Sequence, residues 1–265
     1  MRKIGACLVL IAALIGVNAA TAAGATDAGQ AAGRGLEIGV PVYRFHGDPY
    51  LTELESAAMT PVPPSVVILN IDNGDSDVSQ LDADADALRA RVGGNGEHVK
   101  VIGYVHTDFA TRSIADVERS VDRWLSPRDG GVHYDGIFFD QVTRDCGPAA
   151  DSTAYRDYYR ALREYVWDKI PASSDLVVDN VGSAVSDCYL APGRDTADTF
   201  VTFEGSQVDY ADNWVGGNII ADGGYSLGEA YPSWRFWHII YSAGSADYKT
   251  VLSDSFNRYA GMATV

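Results

Sequence analysis

Eight short runs of β-branched and aromatic residues punctuate the chain at intervals wide enough to hold a helix. This alternation limits the folds open to the chain more than any other feature. The runs are Leu36–Tyr43, Val66–Ile71, Val99–Val105, Tyr134–Asp140, Leu176–Asn180, Thr199–Glu204, Arg235–Tyr241 and Gly261–Val265. They are near-continuously apolar, the pattern of parallel strands covered on both faces by helices. Eight of them predict closure into an α/β fold of the (β/α)8 TIM-barrel type, and an open doubly wound sheet is the alternative. The last run ends at the C-terminus, so the eighth helix is expected to be missing. No G-x-G-x-x-G follows the first run and no Walker sequence occurs, so neither architecture carries a nucleotide-binding signature.

The intervening segments carry helix signals. Asp48-Pro49 is an N-cap with proline at the first helical position, leading into Leu51, Leu54 and Ala58. Ser113 to Asp116 resembles a capping box, followed by Val117, Val121 and Trp124 at helical spacing. Tyr155, Tyr158, Leu162 and Tyr165 repeat the pattern, as do Tyr248, Val251, Leu252 and Phe256. Segments 181–197 and 205–233 are rich in Gly, Asp and Ser, so the helices after the fifth and sixth strands are expected to be weak. The acidic stretch Asp82-Ala83-Asp84-Ala85-Asp86 alternates like a calcium loop but lacks Gly at the sixth place and Glu at the twelfth. It reads as a helix start whose carboxylates suit the dipole. The histidines have no zinc spacing, and no metal or other cofactor is expected.

The first 25 residues read as a signal peptide: Arg2 and Lys3 precede the apolar run Ala6–Val17, about 12 residues and short of the ~20 needed to span a bilayer. Cleavage patterns occur at Ala20-Thr21-Ala22 and Ala23-Gly24-Ala25, and an uncleaved anchor is the alternative. Residues 26–35 are expected to be a flexible linker and 36–265 the barrel domain. The destination is then extracellular or the cell surface, with no membrane span after cleavage. Cys7 falls in the leader, which leaves Cys146 and Cys188 as an even pair in an oxidising compartment. Without nearby histidines they make a poor zinc site, so a disulfide is the leading reading over two free buried thiols, and it would tie the loops after the fourth and fifth strands. With 20 Lys and Arg against 36 Asp and Glu, the formal net charge of −16 repels phosphate backbones. Nucleic acid is therefore excluded as a partner, and a monomer is expected.

In a parallel barrel the carboxyl ends of the strands share one opening. The residues collected there include Tyr43, His46, Asn70, Asp72, Tyr104, His106, Asp140, Gln141, Asn180 and Glu204. No serine stands in a G-x-S-x-G elbow. Asp140 and Glu204 each end an otherwise apolar strand, where a carboxylate is either solvated at the rim or held in a pocket that tunes its pKa. Glycoside hydrolysis needs two such groups, one to protonate the leaving oxygen and one to attack or to activate water. A structural cap is the alternative for each taken alone. Tyr50, Tyr104, Trp214, Tyr225, Tyr231 and Trp237 are the aromatic candidates for stacking on sugar rings.

Several pieces resemble one family in order: Val40-Pro41-Val42-Tyr43, Val66 to Asn70, Val101-Ile102-Gly103-Tyr104-Val105-His106-Thr107, Tyr134 to Asp140, and Phe203-Glu204-Gly205. Together they look like the spherulin 4-like (spherulation-specific family 4) cell-surface proteins, a grouping that includes glycoside hydrolase family 135. The match runs from about Ile38 to Tyr210 and is looser beyond. The resemblance implies a (β/α)8 fold and, for the characterised fungal members, endo-acting hydrolysis of α-1,4-linked N-acetylgalactosamine in galactosaminogalactan. Carried over by motif, Asp140 is the nucleophile and Glu204 the general acid/base of a retaining reaction. Retention implies carboxyl groups roughly 5–5.5 Å apart, whereas about 6.5–9.5 Å favours inversion. Gln141 departs from the Asp-Glu usual at the end of the fourth strand, and an amide cannot transfer a proton. The Asn-Pro-rich turn usual after the second strand is altered to Asn70-Ile71-Asp72-Asn73-Gly74.

The first reading is a secreted endo-acting glycoside hydrolase whose partner is an amino-sugar polysaccharide. In it Asp140 and Glu204 are catalytic, and Tyr43, His46, Asn70, Asp72, Tyr104, His106, Gln141, Asn180 and Trp237 bind substrate. The second is a non-catalytic glycan-binding cell-surface or spore-coat-like protein on the same barrel.

Overall fold

Every one of the eight apolar runs forms a strand. The computed structural model describes residues 35–56, 63–170, 175–193, 195–212, 219–220, 231–244 and 246–265. The strands are β1 (Glu37–Val42), β2 (Val66–Leu69), β3 (Lys100–His106), β4 (Gly136–Asp140), β5 (Leu176–Asn180), β6 (Thr199–Ser206), β7 (Phe236–Tyr241) and β8 (Met262–Thr264). Each pairs in parallel with the next, and Glu37↔Met262 joins β1 to β8, so the sheet closes into a barrel. Closure rules out the open doubly wound alternative.

Two hydrophobic layers explain why the runs lack alternation. Val66, Ile68, Ile102, Tyr104, Phe138, Val178, Val201, Trp237, Ile239 and Met262 fill the barrel interior. The intervening residues, such as Val67, Leu69, Val101, Val105, Ile137, Phe139, Val177 and Phe200, point outward into the layer shared with the helices. Successive strand residues face opposite sides, and both sides are dry.

The helices are α1 (Pro49–Glu55), α2 (Asp82–Arg89), α3 (Ile114–Leu125), α4 (Ala154–Trp167), α5 (Gln207–Asp212) and α6 (Tyr248–Asn257). Asp48 caps α1 by accepting the Tyr50 N–H at 2.9 Å, and Ser113 caps α3 by accepting the Asp116 N–H at 3.2 Å. The three acids at the start of α2 each find a cation or imidazole: Asp82 meets Arg128 at 2.6 Å, Asp84 meets His46 at 2.9 Å and Asp86 meets His133 at 2.9 Å. After β5 the described residues hold no α-helix, only the short strand Val185–Ser186, paired in parallel with Ile219–Ile220, and the 3-10 turn Asp187–Tyr189, and after β6 they hold the six-residue α5 and the 3-10 turn Ser233–Arg235. A disulfide joins Cys146, after β4, to Cys188, after β5, with Cα atoms 6.1 Å apart. No helix among the described residues is long and apolar enough to cross a membrane. The expected leader, nearly all of the expected linker, Trp214 and Tyr225 lie outside the described residues.

Candidate active site

The barrel register selects which side chains reach the opening. Along each strand the inward positions come every second residue, so Ile68 is followed by Asn70, Tyr104 by His106, Phe138 by Asp140 and Val178 by Asn180. Strand β6 breaks this rule. Val201 pairs with Trp237, but the next pairing is Phe203 with His238, so one extra residue is bulged between them. The bulge shifts the phase by one: Phe203 turns outward against Tyr210, and Glu204, opposite the inward Ile239, turns into the mouth. Without it Glu204 would face the helix layer.

At the centre stands Asn180, 5% exposed, whose side-chain nitrogen donates to both acids. It lies 2.7 Å from Asp140 Oδ1 and 2.6 Å from Glu204 Oε2. Those two oxygens are therefore separated by no more than the sum of the two bonds, bridged by one nitrogen. Asp140 Oδ2 accepts the Tyr104 hydroxyl at 2.5 Å, so both oxygens of Asp140 act as acceptors. The Glu204 carboxyl is raised above the ordinary range, first by burial and then by the charge of Asp140, while the Asn180 bond opposes the rise. Burial, the bond to Asp140 and its charge push the Tyr104 phenol well above the usual range, so it stays a donor. One acid is thus held as an acceptor and the other is biased towards carrying a proton.

A cavity of about 420 Å³ opens beside this pair over the ends of β1–β3, lined by Tyr43, Arg44, Phe45, Asn70, Ile71, Asp72, Asn73 and Tyr104. The rings of Tyr43 and Tyr104 meet edge to face at 5.9 Å. Of the residues the sequence placed at the mouth, Tyr43, Asn70, Asp72 and Tyr104 line this cavity, and Asp140, Asn180 and Glu204 form the bonded cluster that the Tyr104 hydroxyl joins to it. His106 sits at the level of Asp140, its ring held between Asp75 and Asp108, each at 3.1 Å. Gln141 directly follows Asp140 in a left-handed conformation (φ 57°), and its carbonyl accepts the Phe109 N–H at 2.8 Å.

Two residues proposed for the mouth are placed elsewhere. Trp237 is fully buried inside the barrel, one inward step below Ile239, packed edge-on against Phe138 and bonded through Nε1 to Thr264 at 3.1 Å. Its position mid-strand makes it a core residue that a sugar chain cannot reach. His46 is drawn to α2 by Asp84, because the chain is already leaving the mouth to enter α1 at Asp48. Among the stacking candidates Tyr231 is buried, its hydroxyl bonded to Asp187 at 2.7 Å, whereas Tyr50 is exposed on α1. Sequence reasoning passed over Phe45 and Phe109, and named Asn73 at the end of the second strand, where the cavity lining places it. Asp108, Phe109 and Ala110 are all left-handed (φ 48°, 55° and 62°), which presents Phe109, 56% exposed, beside Gln141. No glycine marks that turn in the sequence.

The family model described as spherulation-specific family 4 matches residues 37–262. The chain belongs to this family. Among solved structures it is similar to Aspergillus clavatus Sph3, whose structure is in complex with GalNAc, at a TM-score of 0.67 and 20% identity, covering 88% of this chain and 89% of that one. That likeness establishes the shared fold. A GH18 chitinase from Pseudoalteromonas aurantia aligns at a TM-score of 0.45 and 11% identity over 85% of this chain and 92% of that one. No curated protein matches the sequence.

Proposed function

We propose that this member of spherulation-specific family 4 is a glycoside hydrolase that cleaves within an α-1,4-linked amino-sugar polysaccharide by a retaining mechanism. The observation that carries the reading is the single Asn180 nitrogen donating to both carboxylates, which brings one oxygen of each close together and so supports a double displacement. Asp140, an acceptor on both oxygens, attacks the anomeric carbon and forms a glycosyl ester. Glu204 gives its proton to the departing glycosidic oxygen, then takes one from the water that hydrolyses the ester. The raised Glu204 carboxyl suits the first of these tasks. The cleft over β1–β3 receives the chain, and the GalNAc in the Sph3 structure supports an amino sugar as the class. The disulfide and the N-terminal leader support a site of action outside the cytoplasm.

Gln141, which cannot transfer a proton, favours a second reading as a glycan-binding protein without turnover. Reducing-end release from galactosaminogalactan by wild type, Asp140→Asn and Glu204→Gln separates the two. The hydrolase reading expects turnover by the wild type alone. Equal release by all three proteins sinks the residue assignment, and binding with no release by any of them supports the second reading.

A further inference from the structure

The turn that follows Asp140 is held in a backbone conformation that its residues do not favour. Gln141 has φ 57°, and the facing turn after β3 runs left-handed through Asp108, Phe109 and Ala110 in succession. Residues with a Cβ enter this region at a cost and persist there where the surroundings over-determine it. At Gln141 the constraint comes from both neighbouring strands. On the β3 side the Thr107 N–H donates to the Asp140 carbonyl at 3.0 Å, and the Phe109 N–H donates to the Gln141 carbonyl at 2.8 Å. The Thr107 hydroxyl reaches the same two carbonyls, at 3.0 and 2.9 Å. Those carbonyls belong to the two peptide planes that define the backbone of Gln141, so one hydroxyl grips both. On the β5 side the Val142 N–H donates to the Asn180 carbonyl at 2.9 Å. The turn thereby joins the main chain of Asp140 to that of the residue whose side chain bridges the carboxylates.

The single proton of the Thr107 hydroxyl has to be aimed at that turn. Carbonyl oxygens only accept, so the proton goes to them, and the Thr107 oxygen is left as an acceptor for the Tyr159 hydroxyl at 3.1 Å. Tyr159, on α4, itself accepts the Thr143 N–H at 3.2 Å, which leaves its own proton for Thr107. Burial raises the Tyr159 phenol above its usual range, so it stays a donor. Both side chains are fully buried, and solvent does not reach either hydroxyl. The bonds form one directed chain from the Thr143 N–H through Tyr159 and Thr107 to the backbone on both sides of Gln141. Neither Thr107 nor Tyr159 lines the cavity beside the carboxylates.

We propose that Thr107 and Tyr159 are positioning residues for the nucleophile: their hydroxyls hold the left-handed turn at Gln141 and so set the main chain from which Asp140 reaches Asn180 and Tyr104. The assignment rests on the glycosidase reading above and adds to it two residues that do not meet the substrate. Without the grip, Gln141 relaxes towards ordinary backbone, and a small rotation there swings the Asp140 side chain out of its two bonds of 2.7 and 2.5 Å. Misplacing an attacking group lowers turnover more than binding.

Steady-state cleavage of galactosaminogalactan by Thr107→Val, Thr107→Ser, Tyr159→Phe and the double variant Thr107→Val/Tyr159→Phe tests the assignment, with thermal unfolding recorded for each. Valine matches threonine in shape, and each gripped carbonyl keeps a backbone N–H, so the barrel is expected to persist. In Thr107→Val kcat is expected to fall about tenfold or more while KM stays within about twofold. Serine keeps the hydroxyl and should recover most of the lost kcat, which a packing role of the threonine methyl would not produce. Tyr159→Phe should lower kcat by a smaller factor, and the double variant should match Thr107→Val alone, because Tyr159 acts through Thr107. An unchanged kcat in folded Thr107→Val, a loss that serine does not recover, or losses that multiply in the double variant overturns the assignment and leaves the glycosidase reading standing. If Thr107→Val does not fold, an unchanged kcat in Tyr159→Phe overturns it equally. No turnover by the wild type overturns the glycosidase reading and this assignment with it.

Discussion

Asn180→Ala removes the donor shared by the two carboxylates while leaving the barrel strand that carries it. The side-chain nitrogen gives one bond of 2.6 Å to Glu204 and one of 2.7 Å to Asp140. A hydrogen bond to a charged group is worth about 1.5–3 kcal/mol, and losing it disfavours the charged form, so the Glu204 carboxyl should rise further. The sign follows from the role. Glu204 acts first as an acid, its carboxyl is already raised by burial and by Asp140, and the Asn180 bond is what opposes that rise. Without the bond the basic limb of the kcat/KM profile moves to higher pH. The kcat falls as well, by about tenfold or more, because Asp140 loses one of the two bonds that orient it. The assay is the pH profile on galactosaminogalactan, with thermal unfolding to establish that the barrel persists. An unmoved basic limb in a folded protein would refute the role given to Asn180.

Three further outcomes concern the scaffold. Asp179 is fully buried on the outer face of β5, with Thr196 donating to Oδ2 at 2.7 Å and Oδ1 unpartnered, and burial pushes its carboxyl up to about 8. The folded chain then keeps a proton that the unfolded chain has lost, so this residue lowers stability progressively from about pH 4 to about 8, by up to ~1.4 kcal/mol per unit. Urea unfolding of Asp179→Asn should match wild type near pH 4 and exceed it near pH 8; parallel pH dependences would count against the buried neutral carboxyl. Cys146→Ser opens a bridge spanning 42 residues, for which chain entropy predicts a loss of about 4 kcal/mol, and the variant's unfolding should be insensitive to reductant while the wild type's is not. Gly39→Ala would place a Cβ 2.1 Å from Trp237 Cζ2 inside the barrel, costing about 1–3 kcal/mol or more, and Trp237→Leu in the same chain should recover part of it.

The strands were legible because each is apolar on both faces, a pattern that helices of this length do not share. Their ends were less so: the run at Val66–Ile71 stops as a strand at Leu69, since Asp72 and Asn73 turn left-handed just beyond it. Asp140 could be read as a mouth residue from its place at the end of Ile137-Phe138-Phe139. Glu204 reaches the same mouth through a bulge that no residue type in Thr199–Ser206 announces. Trp237 looked like a ligand-stacking aromatic because aromatic character alone does not report depth. Gly39 on the facing strand, which leaves room for its ring, is the sequence clue to its burial. The bridging role of Asn180 was beyond reach, since it depends on side-chain geometry across three neighbouring strands, one of them bulged, that no local pattern reports.

The stereochemistry of the first product tests the paired-carboxylate account most directly. Proton NMR of the newly released reducing ends, recorded during wild-type cleavage of an α-1,4-linked galactosamine polymer and before mutarotation, distinguishes the two courses. The short separation set by Asn180 predicts that the α-anomer appears first and relaxes to the equilibrium mixture. First appearance of the β-anomer, or no new reducing ends at all, would contradict it.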